Sequence, residues 1–61
     1  MQITDLDLAA LERLPTLGWF EAEVADVKCA VFRCERLAKA GYLEREEVGP
    51  KRDRRVKYKR R

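Results

Sequence analysis

Apolar positions along the chain keep a helical spacing in two stretches and alternate in a third. Leu8, Leu11 and Leu14 recur on one face at a spacing of three. Thr4 and Asp7 stand ahead of them at capping-box spacing, with Asp in place of the preferred Glu or Gln. Ile3 and Leu8 occupy the two positions of a hydrophobic staple. Pro15 stops the run, because the residue before a proline avoids the α region. The pattern predicts a first helix over residues 5–14.

The second stretch runs from Phe20 to Ala40. Phe20, Val24, Val27, Val31, Cys34, Leu37 or Ala38 and Gly41 keep a spacing of three and four without a break. Either one helix spans residues 20–40, or a short helix near 21–25 ends and a second begins with Asp26 as its N-cap. Periodicity alone favours one helix, and Gly41 is its natural stop. Trp19 and Phe20 form an aromatic pair suited to lie extended against a later strand.

Beyond Gly41 the period changes to two. Residues 42–48 and 54–59 read as strands, separated by the turn-forming Gly49-Pro50-Lys51-Arg52-Asp53. In the second run Val56 and Tyr58 share one face, and Arg55, Lys57 and Lys59 share the other. A hairpin over 42–59, apolar on one side and strongly basic on the other, is expected.

Composition narrows the possibilities. The 61 residues include 14 Lys plus Arg, 11 Asp plus Glu, two Cys and no His, for a net charge of +3. A chain this short buries only about 60% of its unfolded surface, so one small domain is the limit. The missing histidine excludes a His-based triad and a His metal site. Cys29 and Cys34 lie about 140° apart on a helix, too far round to bridge or to share a metal. Cys34 is expected in the core and Cys29 as a free thiol, which suits a reducing compartment. No apolar run approaches the roughly 20 residues of a membrane span, and no signal segment opens the chain. A soluble, cytoplasmic protein is expected, with no cofactor, no metal, no small-molecule ligand and no enzymatic activity.

Charge is unevenly placed. Residues 1–27 hold six acids against one base, and residues 28–61 hold thirteen bases against five acids. A basic end this strong points to a polyanionic partner.

Helix, aromatic extended pair, helical region, glycine stop and basic hairpin follow in the order of a winged-helix domain. The stretch Arg36-Leu37-Ala38-Lys39-Ala40-Gly41-Tyr42-Leu43-Glu44-Arg45 resembles the end of a recognition helix and the first wing strand in winged-helix transcription regulators. Gly49-Pro50-Lys51-Arg52-Asp53-Arg54-Arg55-Val56-Lys57-Tyr58 is similar to the wing tip and second wing strand. The resemblance covers residues 5–59 and implies an α+β fold, a winged helix-turn-helix of two to three helices followed by a two-stranded hairpin wing. The chain departs from that pattern in one place, since only Glu21 to Ala25 is available for the second helix.

The resemblance implies binding of double-stranded DNA, and the residues can be weighed for that independently. Projecting residues 27–40 at about 100° per residue turns Val27, Ala30, Val31, Cys34, Leu37 and Ala38 inward. Lys28, Cys29, Phe32, Arg33, Glu35, Arg36, Lys39 and Ala40 then face outward, with Lys28, Cys29, Phe32, Arg33, Arg36 and Lys39 as candidate contacts and Arg33 and Arg36 as candidates for guanine readout in the major groove. Lys51, Arg52, Arg54, Arg55 and Lys57 are the candidate wing contacts to phosphates. Phe32, opposite its own core face, would touch a thymine methyl, pack beneath the first helix or be covered by a partner. A homodimer would form through helix one or the Trp19 and Phe32 region. The economy suits a small transcriptional regulator or a mobile-element site-binding protein. The alternatives are a protein-interaction adaptor on the same scaffold and structured-RNA binding.

Overall fold

A computed structural model describes residues 2–61. It is an α+β domain of two α-helices and a three-stranded antiparallel sheet. Helix α1 spans Asp5–Arg13 and α2 spans Ala30–Lys39; strands β1 (Phe20–Glu21), β2 (Leu43–Val48) and β3 (Arg55–Arg60) form a sheet in the order β1-β3-β2.

The predicted cap of α1 is in place. The Asp7 backbone amide donates to the Thr4 hydroxyl at 3.3 Å, and the Thr4 backbone amide donates to the Asp7 carboxylate at 3.0 Å. The helix ends one residue before the expected boundary. Leu14, ahead of Pro15, is already extended at φ −82° and ψ 153° and drops into the core.

The unbroken spacing over 20–40 does not correspond to one helix. Phe20 and Glu21 pair with Tyr58 and Lys57 of β3, a single 3-10 turn covers Ala22–Val24, and α2 starts only at Ala30. Nor does Asp26 cap a second helix. Its side chain is open to solvent and pairs with Arg13 at 3.2 Å, while the N-cap position of α2 belongs to Cys29, in the left-handed conformation at φ 56° with no side-chain cap. The repeat is not one buried face: Phe20 is buried, but Val24 is 70% exposed, and the residue that the 3-10 turn buries is Ala22. Val31, expected inward, is half exposed because the register of α2 is set by Cys34 and Leu37, both fully buried.

Helix α2 closes at Gly41, as expected. Gly41 adopts φ 92°; its amide bonds the Ala38 carbonyl at 3.1 Å, and the Tyr42 amide bonds that of Leu37 at 2.9 Å. This paired closure turns the chain directly into β2. Where two strands were expected from the hairpin, β1 adds a third along the free edge of β3. The core joins Leu14, Phe20, Ala22, Cys34, Leu37, Leu43 and Tyr58, with the Phe20 and Tyr58 rings 6.0 Å apart. The sheet backs α2 on one side, and α1 flanks it on another.

Candidate nucleic-acid interface

Register decides what each face of the sheet carries, because residues directly opposite in a pair share a face. Tyr58 lies between Phe20 and Arg45 on the inner face, and Val56 opposes Glu47. On the outer face Lys57 lies between Glu21 and Glu46, and Lys59 opposes Glu44. The strongly basic side belongs to β3 alone; its neighbours bring acids to the same surface. Lys57 is half-buried there, and Lys59 places its ammonium 5.9 Å from the centre of the Trp19 ring.

The hairpin tip is different. Gly49, at φ 97°, begins the turn, and Lys51 and Arg52 sit exposed in a short 3-10 turn at its end. Neither makes an ion pair among the described residues. The next two bases are engaged: Arg54 pairs with Glu47 at 3.3 Å, and Arg55 with Glu21 at 3.4 Å and Asp53 at 3.9 Å. Arg45 links the hairpin to α2, donating to Glu35 at 2.7 Å and Glu47 at 3.0 Å, and the buried Tyr58 hydroxyl donates to the same Glu35 carboxylate at 2.8 Å. Burial pushes Glu35 up, but the Tyr58 hydroxyl and Arg45 outweigh it and hold the carboxyl below its ordinary value. The same contacts raise Arg45.

Of the residues expected on the outward arc of α2, Lys28 and Cys29 are exposed in the turn ahead of the helix and Lys39 is exposed in its last turn. Phe32 is 55% exposed at the middle of that face. Arg33 and Arg36 are not free on it. Arg33 Nη1 donates to Asp7 at 2.7 Å, and Arg36 Nε donates to the same carboxylate at 3.0 Å. Their guanidinium carbons lie 5.3 and 5.6 Å from the Phe32 ring centre. Asp7 itself is fully buried. Its carboxyl is held well below the usual range, first by the Thr4 backbone amide, then by the two arginines and the Thr4 hydroxyl, against the opposing push of burial.

Sequence reasoning missed Asp7 as the anchor of these arginines and Arg45 and Glu47 as the tie to the hairpin, and it turned Glu35 outward, whereas Glu35 faces the sheet and accepts from the Tyr58 hydroxyl and Arg45. The capping-box position of Asp7 was a signal that its carboxylate turns back toward Thr4. Nothing local to α1 says that the second helix will meet it there.

Among the clefts that border α2, two flank its first turns. One of about 390 Å³ lies between α2 and the hairpin and is lined by Glu23, Val31, Glu35, Arg54 and Tyr58 among others. The other, about 620 Å³, lies between α1 and the start of α2 and includes Leu6, Val27, Cys29 and Arg33. Among the described residues no cluster of His, Cys, Asp or Glu could hold a metal, and no helix is long and apolar enough to cross a membrane. Comparison with protein-family models, with curated proteins and with solved structures finds no match to this chain.

Proposed function

We propose that this chain binds double-stranded DNA as a small winged-helix regulator, with α2 in the major groove and the β2–β3 hairpin as its wing. The element order and the sheet order β1-β3-β2 support the fold part of the reading. The 3-10 turn at Ala22–Val24 takes the place of a second helix. The observation that carries the reading is the pair of cations Lys51 and Arg52, without an ion pair among the described residues, at the tip of a hairpin tied by Arg45 to the flank of α2. An α-helix is about 10–12 Å across with its side chains, which fits a major groove about 12 Å wide, and the ten residues of α2 run about 15 Å along it.

Within this reading Lys28, Phe32 and Lys39 face the base edges, and Lys51 and Arg52 contact phosphates beside them. Arg54 and Arg55 supply further charge at the wing base, in competition with Glu47 and Glu21. If about five cations neutralise phosphates, log K falls with log salt at a slope of about −4 to −5.

One observation favours the adaptor reading instead. Val24, Val31 and Phe32 are 70%, 51% and 55% exposed, apolar surface that a protein partner would cover. Selection from a random duplex pool, read by mobility shift, separates the two. DNA binding predicts enrichment of a preferred sequence, relaxed by Lys28→Ala with Lys39→Ala. Lys51→Ala with Arg52→Ala should weaken all sequences alike. No shift of any duplex at low salt sinks the DNA reading, and preference for a structured RNA over duplex moves it to RNA.

A further inference from the structure

The cluster at the junction of α1 and α2 has more charge than its own pairing requires. One buried carboxylate, Asp7, faces two guanidiniums, Arg33 and Arg36. The cluster keeps a net positive charge. A guanidinium has five N–H donors. Arg33 uses Nη1 on Asp7, and Arg36 uses Nε on Asp7 and Nη2 on the Gln2 carbonyl at 2.8 Å. Most of both forks is left without an acceptor among the described residues, with 20% and 24% of the two side chains open to solvent.

The forks are also restrained. Asp7 cannot move, because it is fully buried and bonded to the Thr4 amide and hydroxyl, each at 3.0 Å. Phe32 lies beside both guanidiniums, and a ring takes cations by its face while leaving in-plane N–H groups to other acceptors. Two restrained planar forks with spare donors and surplus positive charge match the oxygens of a phosphate, which accepts such donors in pairs.

We propose that Arg33 and Arg36, held by Asp7 and Phe32, form a phosphate subsite on the α1 flank of α2 that takes phosphodiester oxygens of the nucleic-acid backbone. This rests on the DNA reading above and changes the role of the two arginines within it. A guanidinium tied to a carboxylate on α1 cannot swing to a base edge, whereas phosphates line the walls of the groove. Glu35, about 200° round the helix from Arg33, marks the opposite flank, to which the wing is tied. Backbone contacts on the two flanks fix the register of α2, and base contacts fall to the face between them.

The test reads the Nε–Hε NMR signals of Arg33 and Arg36 in the intact protein. Inorganic phosphate is titrated against chloride at equal ionic strength, and then a short duplex is added. Both signals are expected to move with phosphate and with duplex but not with chloride. A double variant, Arg33→Lys with Arg36→Lys, keeps the charge and removes the forks. It is expected to lose about tenfold in affinity for every sequence, with preference unchanged and, since the charge is kept, little change in salt slope. A circular dichroism melt checks its folding, and the wild-type titration stands without it. Duplex binding with both signals unmoved overturns the subsite and leaves the DNA reading intact. Altered sequence preference in the folded double variant also overturns it, returning the arginines to base readout. Phosphate-specific movement without duplex binding overturns the DNA reading and, with it, the assignment of the subsite to a duplex backbone, leaving an anion site only.

Discussion

Asp7 and Arg33 stand 26 residues apart in the chain and meet at 2.7 Å between the two helices. The contact joins the cap of one helix to the exposed edge of the other, so a single carboxylate serves both the start of α1 and the setting of α2. Arg36 doubles it at 3.0 Å.

Removing that charge should loosen the helix pair. Asp7→Asn keeps the shape but leaves two guanidiniums without their anion, and its amide nitrogen cannot accept from them. The thermal midpoint is expected to fall clearly more than for Asp5→Asn, whose side chain is exposed in the same first turn. Equal effects of the two would deny Asp7 its anchoring role.

Stability should have two titrating shoulders. Asp7 and Glu35 are held below their ordinary 3.8 and 4.5, so the unfolded chain binds more protons there as pH falls. Their contribution is complete above those ordinary values and is lost as pH falls below about 5. On the alkaline side burial first, then Glu35 and Glu23, push the Cys34 thiol from 9.0 up to about 11. Burial and the Glu35 carboxylate likewise raise the Tyr58 hydroxyl above 10.0. Both stay neutral longer in the folded state, so their contribution is present below the ordinary values and is lost as pH climbs past them. Urea midpoints across the pH range should show a plateau between about 5 and 9 with a decline on each side.

The Tyr58 hydroxyl ties the sheet to α2 through Glu35. Tyr58→Phe keeps the ring against Phe20 and removes that bond, with an expected loss of about 1 kcal/mol in denaturant unfolding. The Glu35 carboxyl should titrate higher in the variant, as followed by carbon NMR of its side chain.

Much of this architecture is legible in the residues. Thr4 and Asp7 announce the α1 cap, Pro15 and Gly41 end the two helices, and the alternation of Val56 and Tyr58 against Arg55 and Lys57 fixes the faces of β3. The stretch between Phe20 and Cys29 is not legible, because its spacing of three and four runs through a strand, a 3-10 turn and a loop, and Val24 within it is exposed rather than buried. The site suffers more. Whether a surface arginine is free depends on which acid meets it in space, and Asp7, Glu47 and Glu21 reach theirs only through the tertiary fold.

Gly49 should be harder to replace than Gly41. Both have positive φ, which costs an alanine about 1 kcal/mol. A Cβ at Gly41 meets nothing within 4 Å, whereas at Gly49 it would come within 2.5 Å of the Asp53 carbonyl oxygen. Gly49→Ala is therefore expected to destabilise more than Gly41→Ala and to shift the amide signals of residues 49–54.

The central claim is that α2 and the hairpin tip meet the same duplex. Amide NMR of the labelled protein, titrated at low salt with a short random-sequence duplex, tests it most directly. The account predicts shifts concentrated at residues 28–39 and 51–54, with little change along the outer surface of α1. An unchanged spectrum at equimolar duplex, or shifts confined to α1, would contradict it.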